Sequence, residues 1–405
     1  MRWDRTIKLL MLALALTSAT GWLFKTHCTP GGWTMSEQYS TGCYSDAVPF
    51  WDGRGVSAGA LPYFDARMEY PVLTGGLIWV EGQVTRLLFG ARANAAHFLF
   101  VVTLVNALIA ALMLLWFRRE GMDDRRLWAW ALAPPLFLYV GHNWDLLAIG
   151  FAVGAMLLAR RTALPEAAAV AGLGLAAKLY PVLMLPLLGL GALFRSRTGW
   201  VRRLRDAMLV TIAAVGAWAA VNLPVMAGAF ENWTEFYLFS QARSGTAASI
   251  WEIMGVQGWW ATTIPERNFY AAIAFLIGAA AIIGFGWRRH RDRLWILFTP
   301  LLAWFMLTNK VYSPQFDLWL YPMLLMTAPR LRAVWIFVAA GVAAYFAEFW
   351  WFASTEQAWP YFVVPGHIAI AAAVRAAAMI WLIVEMVRLP PPQWVLLKPD
   401  AEAAR

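Results

Sequence analysis

The stretch from Ala95 to Arg126, AAHFLFVVTLVNALIAALMLLWFRREGMDDRR, decides what kind of protein this is. Residues 95 to 117 contain no Asp, Glu, Lys or Arg. As a helix rising 1.5 Å per residue they reach roughly 35 Å, enough to cross a bilayer core of about 30 Å. The chain then turns abruptly to charge, with four arginines between 118 and 126. An apolar span ending in a basic loop is the topology signal of a membrane helix with its charged end in the cytoplasm.

The same alternation continues in both directions. Apolar runs lie near 7 to 25, 95 to 117, 127 to 141, 145 to 159, 165 to 178, 180 to 194, 207 to 224, 269 to 286, 294 to 309, 314 to 328, 333 to 352 and 368 to 389. They predict an all-α polytopic membrane protein of about 12 helices, in which the shorter runs pair as broken or tilted helices. Hydrophobic residues form 61% of the chain and charged ones 14%, so lipid is the solvent for most of it. A net charge of +9 does not indicate nucleic acid, because the cations sit in short clusters between apolar runs and not along one polar face.

With the N-terminus (Arg2, Arg5, Lys8) in the cytoplasm, all but ten of the 33 Lys and Arg fall in inner loops or at the C-terminus. The exceptions are Lys25, Arg54, Arg67, Arg86, Arg92, Lys178, Arg243, Arg267, Lys310 and Arg375. Residues 1 to 25, with small residues near Ala19 and Gly21, also fit a cleavable leader, although a retained first helix completes the charge pattern. Segment 72 to 90, VLTGGLIWVEGQVTRLLFG, carries Glu81, Gln83 and Arg86 among apolar residues and reads as an interfacial helix. As a span it would move the basic loop 118 to 126 outside. The whole chain, 1 to 405, is read as one integral domain with two large outer segments, 26 to 94 and 225 to 268.

Several polar groups converge on the outer side. Cys28 and Cys43 share the first outer loop, where either a disulfide or two thiols is possible and no His spacing suggests zinc. The loop holds Asp46, Asp52, Asp65 and Glu69 among aromatics. A carboxylate held near the bilayer surface can serve as a general base, and a solvated turn or cap is the alternative. GHNWD, 141 to 145, places His142, Asn143 and Asp145 in one turn before a helix, as caps or as functional groups. Lys178 in AAKLYP and Lys310 in LTNKVYSPQ repeat one device, a lysine followed by an aromatic and a proline. Each either snorkels to headgroups or holds an anion such as a lipid phosphate. Arg375, inside the last run, needs an anion, with Glu348 or a lipid phosphate as the choices. Acids and aromatics in 225 to 268 (Trp233, Tyr237, Trp251, Trp259, Trp260) fit either an interfacial belt or a sugar platform.

The order of Asp46, G-x-x-P-Y (Gly59 to Tyr63), E-Y-P (Glu69 to Pro71), N-W-D, K-L-Y-P and N-K-V-Y-S-P-Q resembles glycosyltransferase family 87, of the GT-C membrane fold. That family includes polyprenol-phosphate-mannose-dependent α-mannosyltransferases. The resemblance, over about residues 40 to 325, implies transfer of a sugar, mannose by analogy, from a polyprenyl-phosphate donor to a glycolipid or glycan acceptor. With the charge pattern, which puts both termini inside, it implies a multi-pass protein of the cytoplasmic membrane with the active site on the outer face. It makes Asp46 the catalytic base, with inversion, and Lys178 and Lys310 the donor-phosphate ligands, to which the reading of the last apolar run adds Arg375. Glu69, Tyr70, His142, Asn143, Asp145, Tyr180, Tyr312, Ser313 and Gln315 become substrate-binding expectations. No D-x-D pair follows Asp46, so neither a metal nor another cofactor is expected. A transporter of lipid-linked sugars is the alternative, although matched broken repeats are not evident beyond the two lysine and proline junctions.

Overall fold

The computed structural model describes residues 4–29, 37–194, 199–356 and 362–397. Arg2, Arg195, Arg197, Lys398 and Arg405, counted above among the inner cations, lie outside the described residues. Each of the twelve apolar runs is helical, and the described residues hold no strand, only an isolated bridge between Pro62 and Ala66.

Six helical runs are long and apolar enough to cross a membrane: Arg5–Thr26, Ala95–Arg119, Trp200–Gly228, Ile264–Thr308, Arg332–Thr355 and Pro365–Leu396. Leu104, Leu108, Leu112 and Trp116 stand four apart on one face of Ala95–Arg119, and all are exposed. Asn106, Ala110, Met113 and Phe117 occupy the other face and are buried. Such a helix puts its apolar stripe outward, which suits lipid. The fourth run is broken at Arg293 into Ile264–His290, the 3-10 turn Arg291–Leu297 and Phe298–Thr308.

Shorter helices fill the centre. Phe316–Thr327 is buried at every residue, yet twelve residues reach only about 18 Å, so its ends stop inside the protein. Its terminal polar groups must therefore be satisfied by protein. Arg126 does this at one end, donating to the carbonyls of Leu325 and Ala328, both at 2.9 Å. The other end, with the chain breaks Lys178 to Tyr180 and Asn309 to Gln315, faces the candidate site. Short helices thus bring polar backbone ends and lysines to the pocket.

Two boundaries differ from the sequence reading. Run 127 to 141 divides into Asp124–Ala131 and Pro134–Tyr139, since Pro134 disfavours helical backbone at Ala133, whose ψ is 117°. Segment 225 to 268 is largely helical, with Trp200–Gly228 running into it, followed by Phe230–Ala242 and Ile250–Val256. Segment 72 to 90 is the helix Val72–Phe89, outside the six long runs. It buries Thr74, Glu81 and Thr85 and exposes Val80, Val84, Leu87 and Leu88, so its polar face is turned inward.

Candidate functional site

The loop that carries Asp46 is pinned from below. Cys28 and Cys43 form a disulfide. The fully buried Lys25 ammonium donates to Gly42 O (3.2 Å), Tyr44 O (2.8 Å) and the Tyr345 hydroxyl (2.7 Å). Asp46 N donates to His142 O at 2.8 Å, and Ser45 Oγ reaches the same carbonyl at 3.3 Å. His27 lies beside the two cysteines, but bonded sulfurs offer no thiolate for a metal.

Asp46 stands at the N-terminus of Ala47–Gly53 without capping it. Its Oδ2 instead accepts the Tyr70 hydroxyl at 3.0 Å. Burial raises its pKa above the usual carboxylate value, opposed by hydrogen bonds from Tyr44 and Tyr70 and by the charge of Lys178. Tyr70 is positioned by the G-x-x-P-Y element, since the Tyr63 hydroxyl donates to Tyr70 O at 2.8 Å. Gly59 in that element has φ +80°, and a Cβ there would collide with Arg86. Of the other loop acids, Asp65 caps the turn at Leu61 N (2.9 Å) and Glu69 pairs with Arg54 (2.6 Å).

A pocket of about 690 Å³ opens beside Asp46. Glu69, Tyr70, His142, Lys178, Tyr180, Lys310, Ser313 and Gln315 all line it with Asp46. His142 is buried, and that burial, with Lys25 and Lys178 near, keeps its pKa well below normal and the ring neutral. Tyr180 stacks on Trp319 (centroids 4.6 Å apart), which stacks on Phe316 (3.7 Å), forming an aromatic wall. Lys178 Nζ is 2.6 Å from Asp145 and sits over the Tyr70 ring at 4.9 Å. Its charge is thus already compensated. Lys310 Nζ donates to Gln241 O at 2.7 Å and, among the described residues, has no carboxylate within ion-pair distance. Burial, with Arg243 and Arg267 close by, lowers its pKa.

Four expected residues do not line the pocket. Asn143 Oδ1 accepts Asp145 N at 3.0 Å, closing a turn just ahead of the helix Asp145–Arg160. Asp145 is a buried partner of Lys178 and of Trp319 Nε1 (2.6 Å). Tyr312 is buried and donates to Asp317 at 2.7 Å. Arg375 lies 3.7 Å above the Tyr312 ring centroid and 3.5 Å from Asp317. Its ion-pair partner is therefore Asp317, not Glu348, and its guanidinium is kept from the pocket by the packing of Tyr312 and Asp317 around it. The tryptophans of 225 to 268 also stay out; Trp233 packs on Trp218 and Trp251 on Trp260.

Two charged lining residues, Arg243 and Glu348, were absent from the expected set. Arg243 follows the helix Phe230–Ala242, half-buried, with no carboxylate in ion-pair distance among the described residues. Burial lowers its pKa, and Asp46 exerts the strongest opposing charge. Glu348 lines the pocket with Oε2 buried and unpartnered among the described residues. Arg243 was already visible as an exception to the charge rule.

Fold and pocket together define an all-helical membrane protein with a charged, aromatic-lined cavity at one end of its helices. No known family profile and no curated protein sequence matches the chain. Among solved structures it is similar to the apo oligosaccharyltransferase of Archaeoglobus fulgidus, with a TM-score of 0.40 and 10% identity. The alignment covers 95% of this chain and 56% of that one, so the chain spans little more than half that length.

Proposed function

We propose that the protein is a GT-C glycosyltransferase, a single integral domain of the cytoplasmic membrane that uses a polyprenyl-phosphate sugar at its outer face. The observation that carries this reading is one cavity lined by a half-buried carboxylate, Asp46, together with two cations that have no carboxylate partner among the described residues, Lys310 and Arg243. Mannose is the first donor to test, and a glycolipid or envelope glycan is the acceptor.

In this reading the Asp46 carboxylate takes the proton of an acceptor hydroxyl. That oxygen attacks the anomeric carbon as the bond from carbon to phosphate oxygen breaks, with inversion. The lipid phosphate leaves with the bonding pair, and Lys310 and Arg243 stabilise its growing charge. Arg243 replaces Arg375 in this role. Lys178, paired with Asp145, lowers the pKa of Asp46 and supports its base form. Asp46 itself is raised by burial, which makes it a stronger base than a solvated aspartate. The stacked Tyr180, Trp319 and Phe316 give the cavity an apolar wall of ring edges for the sugar or the first isoprene unit. Phosphate leaves readily with cations facing it, so the scheme requires no metal and no general acid.

Asp46→Asn tests the proposal. Transfer from lipid-linked mannose in membranes should fall by at least roughly 100-fold while donor binding persists. Near-normal turnover would remove Asp46 from the mechanism, and movement of labelled lipid without a new glycosidic bond would point to a transporter.

A further inference from the structure

A second cavity, a groove of about 860 Å³, lies between Ile264–His290 and Pro365–Arg388, far from Asp46. Apolar side chains, among them Phe285, Trp304 and Val384, line its length, and Arg288, Arg289 and Arg388 close one end. The buried His290 fixes the two helices together there, its Nε2 donating to Met386 O at 2.9 Å. Phe285 is 78% exposed and Val384 43%, so the groove opens sideways, toward lipid.

Its charge is uncompensated. Among the described residues none of the three arginines has a carboxylate within ion-pair distance. Glu385, beside Val384, is engaged 3.6 Å from Arg330. Depth follows from the helix that joins the two sites. Asn268 lines the pocket beside Asp46, and Arg288 is twenty residues further along the same helix. At 1.5 Å per residue that is about 30 Å, one bilayer core. The arginines therefore lie at the opposite membrane surface, which the charge rule assigns to the cytoplasm.

The geometry points to a binding site for an anionic glycerophospholipid of that leaflet, its phosphate on Arg288, Arg289 and Arg388 and one acyl chain along the groove. Basic pockets between helices on the cytoplasmic side suit such headgroups. The occupant is not the proposed sugar donor, whose phosphate would lie at the other surface, and the inference does not depend on the glycosyltransferase reading.

Lipid retention by the full-length protein tests it. The protein is purified from nanodiscs containing equal phosphatidylglycerol and phosphatidylcholine, and bound lipid is counted by native mass spectrometry. Phosphatidylglycerol should be retained in preference, and Arg288→Gln and Arg388→Gln should each weaken retention about fivefold, matching roughly 1 kcal/mol per arginine. Ala281→Phe, which fills the apolar part with the arginines intact, should also release the lipid. Equal retention of both lipids, or unchanged retention in all three variants, overturns the assignment. So does a second copy of this chain, or a partner helix, occupying the groove in place of lipid.

Discussion

Replacing Lys25 with Met tests how the loop bearing Asp46 is held. The ammonium is fully buried and makes three hydrogen bonds at 2.7 to 3.2 Å. Charge-assisted bonds contribute about 1.5–3 kcal/mol each, offset by the several kcal/mol that burying an ammonium costs. Gly42 O keeps the Tyr345 hydroxyl as a donor, but Tyr44 O loses the lysine that bonds it. An unsatisfied buried carbonyl costs about 1–3 kcal/mol. The net expectation is about 3 kcal/mol against the closed loop, roughly a 150-fold rise in local opening. The disulfide from Cys28 to Cys43 remains, so the effect should be confined to the loop. Hydrogen exchange reads it directly, because Asp46 N is bonded to His142 O in the closed loop. Peptides covering Gly42 to Phe50 should exchange about 150-fold faster, with Phe316–Thr327 unchanged. Unchanged exchange in the loop, or equal acceleration everywhere, refutes the reasoning.

Five further outcomes concern the site and its supports. Since burial raises the Asp46 pKa and the Tyr70 bond lowers it, transfer should fall as pH drops through that raised pKa, where the base gains its proton. Tyr70→Phe removes a bond to the ionised form, so the acid limb of kcat/KM should move to higher pH; a static or lowered inflection contradicts this assignment. Arg243→Gln should raise the donor KM by roughly tenfold or more, the loss of one charged hydrogen bond, whereas Arg375→Gln should leave it unchanged. Arg375→Gln should instead destabilise the protein by about 3–5 kcal/mol, as expected when Asp317 loses its buried partner, and a thermal melt separates the two effects. Cys28→Ser with Cys43→Ser should lower loop stability by about 3 kcal/mol, measured as loss of the reductant-sensitive part of the melting midpoint.

Much of the fold was legible because crossing a membrane is a demand on contiguous residues. Each apolar run became helical, whole or in pieces, and Lys178 and Lys310 marked chain breaks because a buried cation and a nearby proline both disfavour an unbroken helix in lipid. Hydropathy was less informative where the protein is its own solvent. Phe316–Thr327 is too short to span and is stabilised by packing and by Arg126 from the distant helix Asp124–Ala131, a contact that no local pattern encodes. The inward polar face of Val72–Phe89 is similar, since the buried Glu81 meets its donor, Trp144 Nε1 at 2.6 Å, from a different part of the chain.

The sequence by itself determined the membrane class, the helices, and the polar junctions from which the site is built. Tertiary structure alone decided which charge meets which. Lys178 found Asp145, Arg375 found Asp317 instead of Glu348, and Arg243, not Arg375, came to line the pocket with Asp46. The physical reason is that hydropathy sums along the chain, whereas an ion pair depends on the rotation of each helix about its axis. A shift of one residue turns a side chain by about 100°, and packing against neighbouring helices sets that angle.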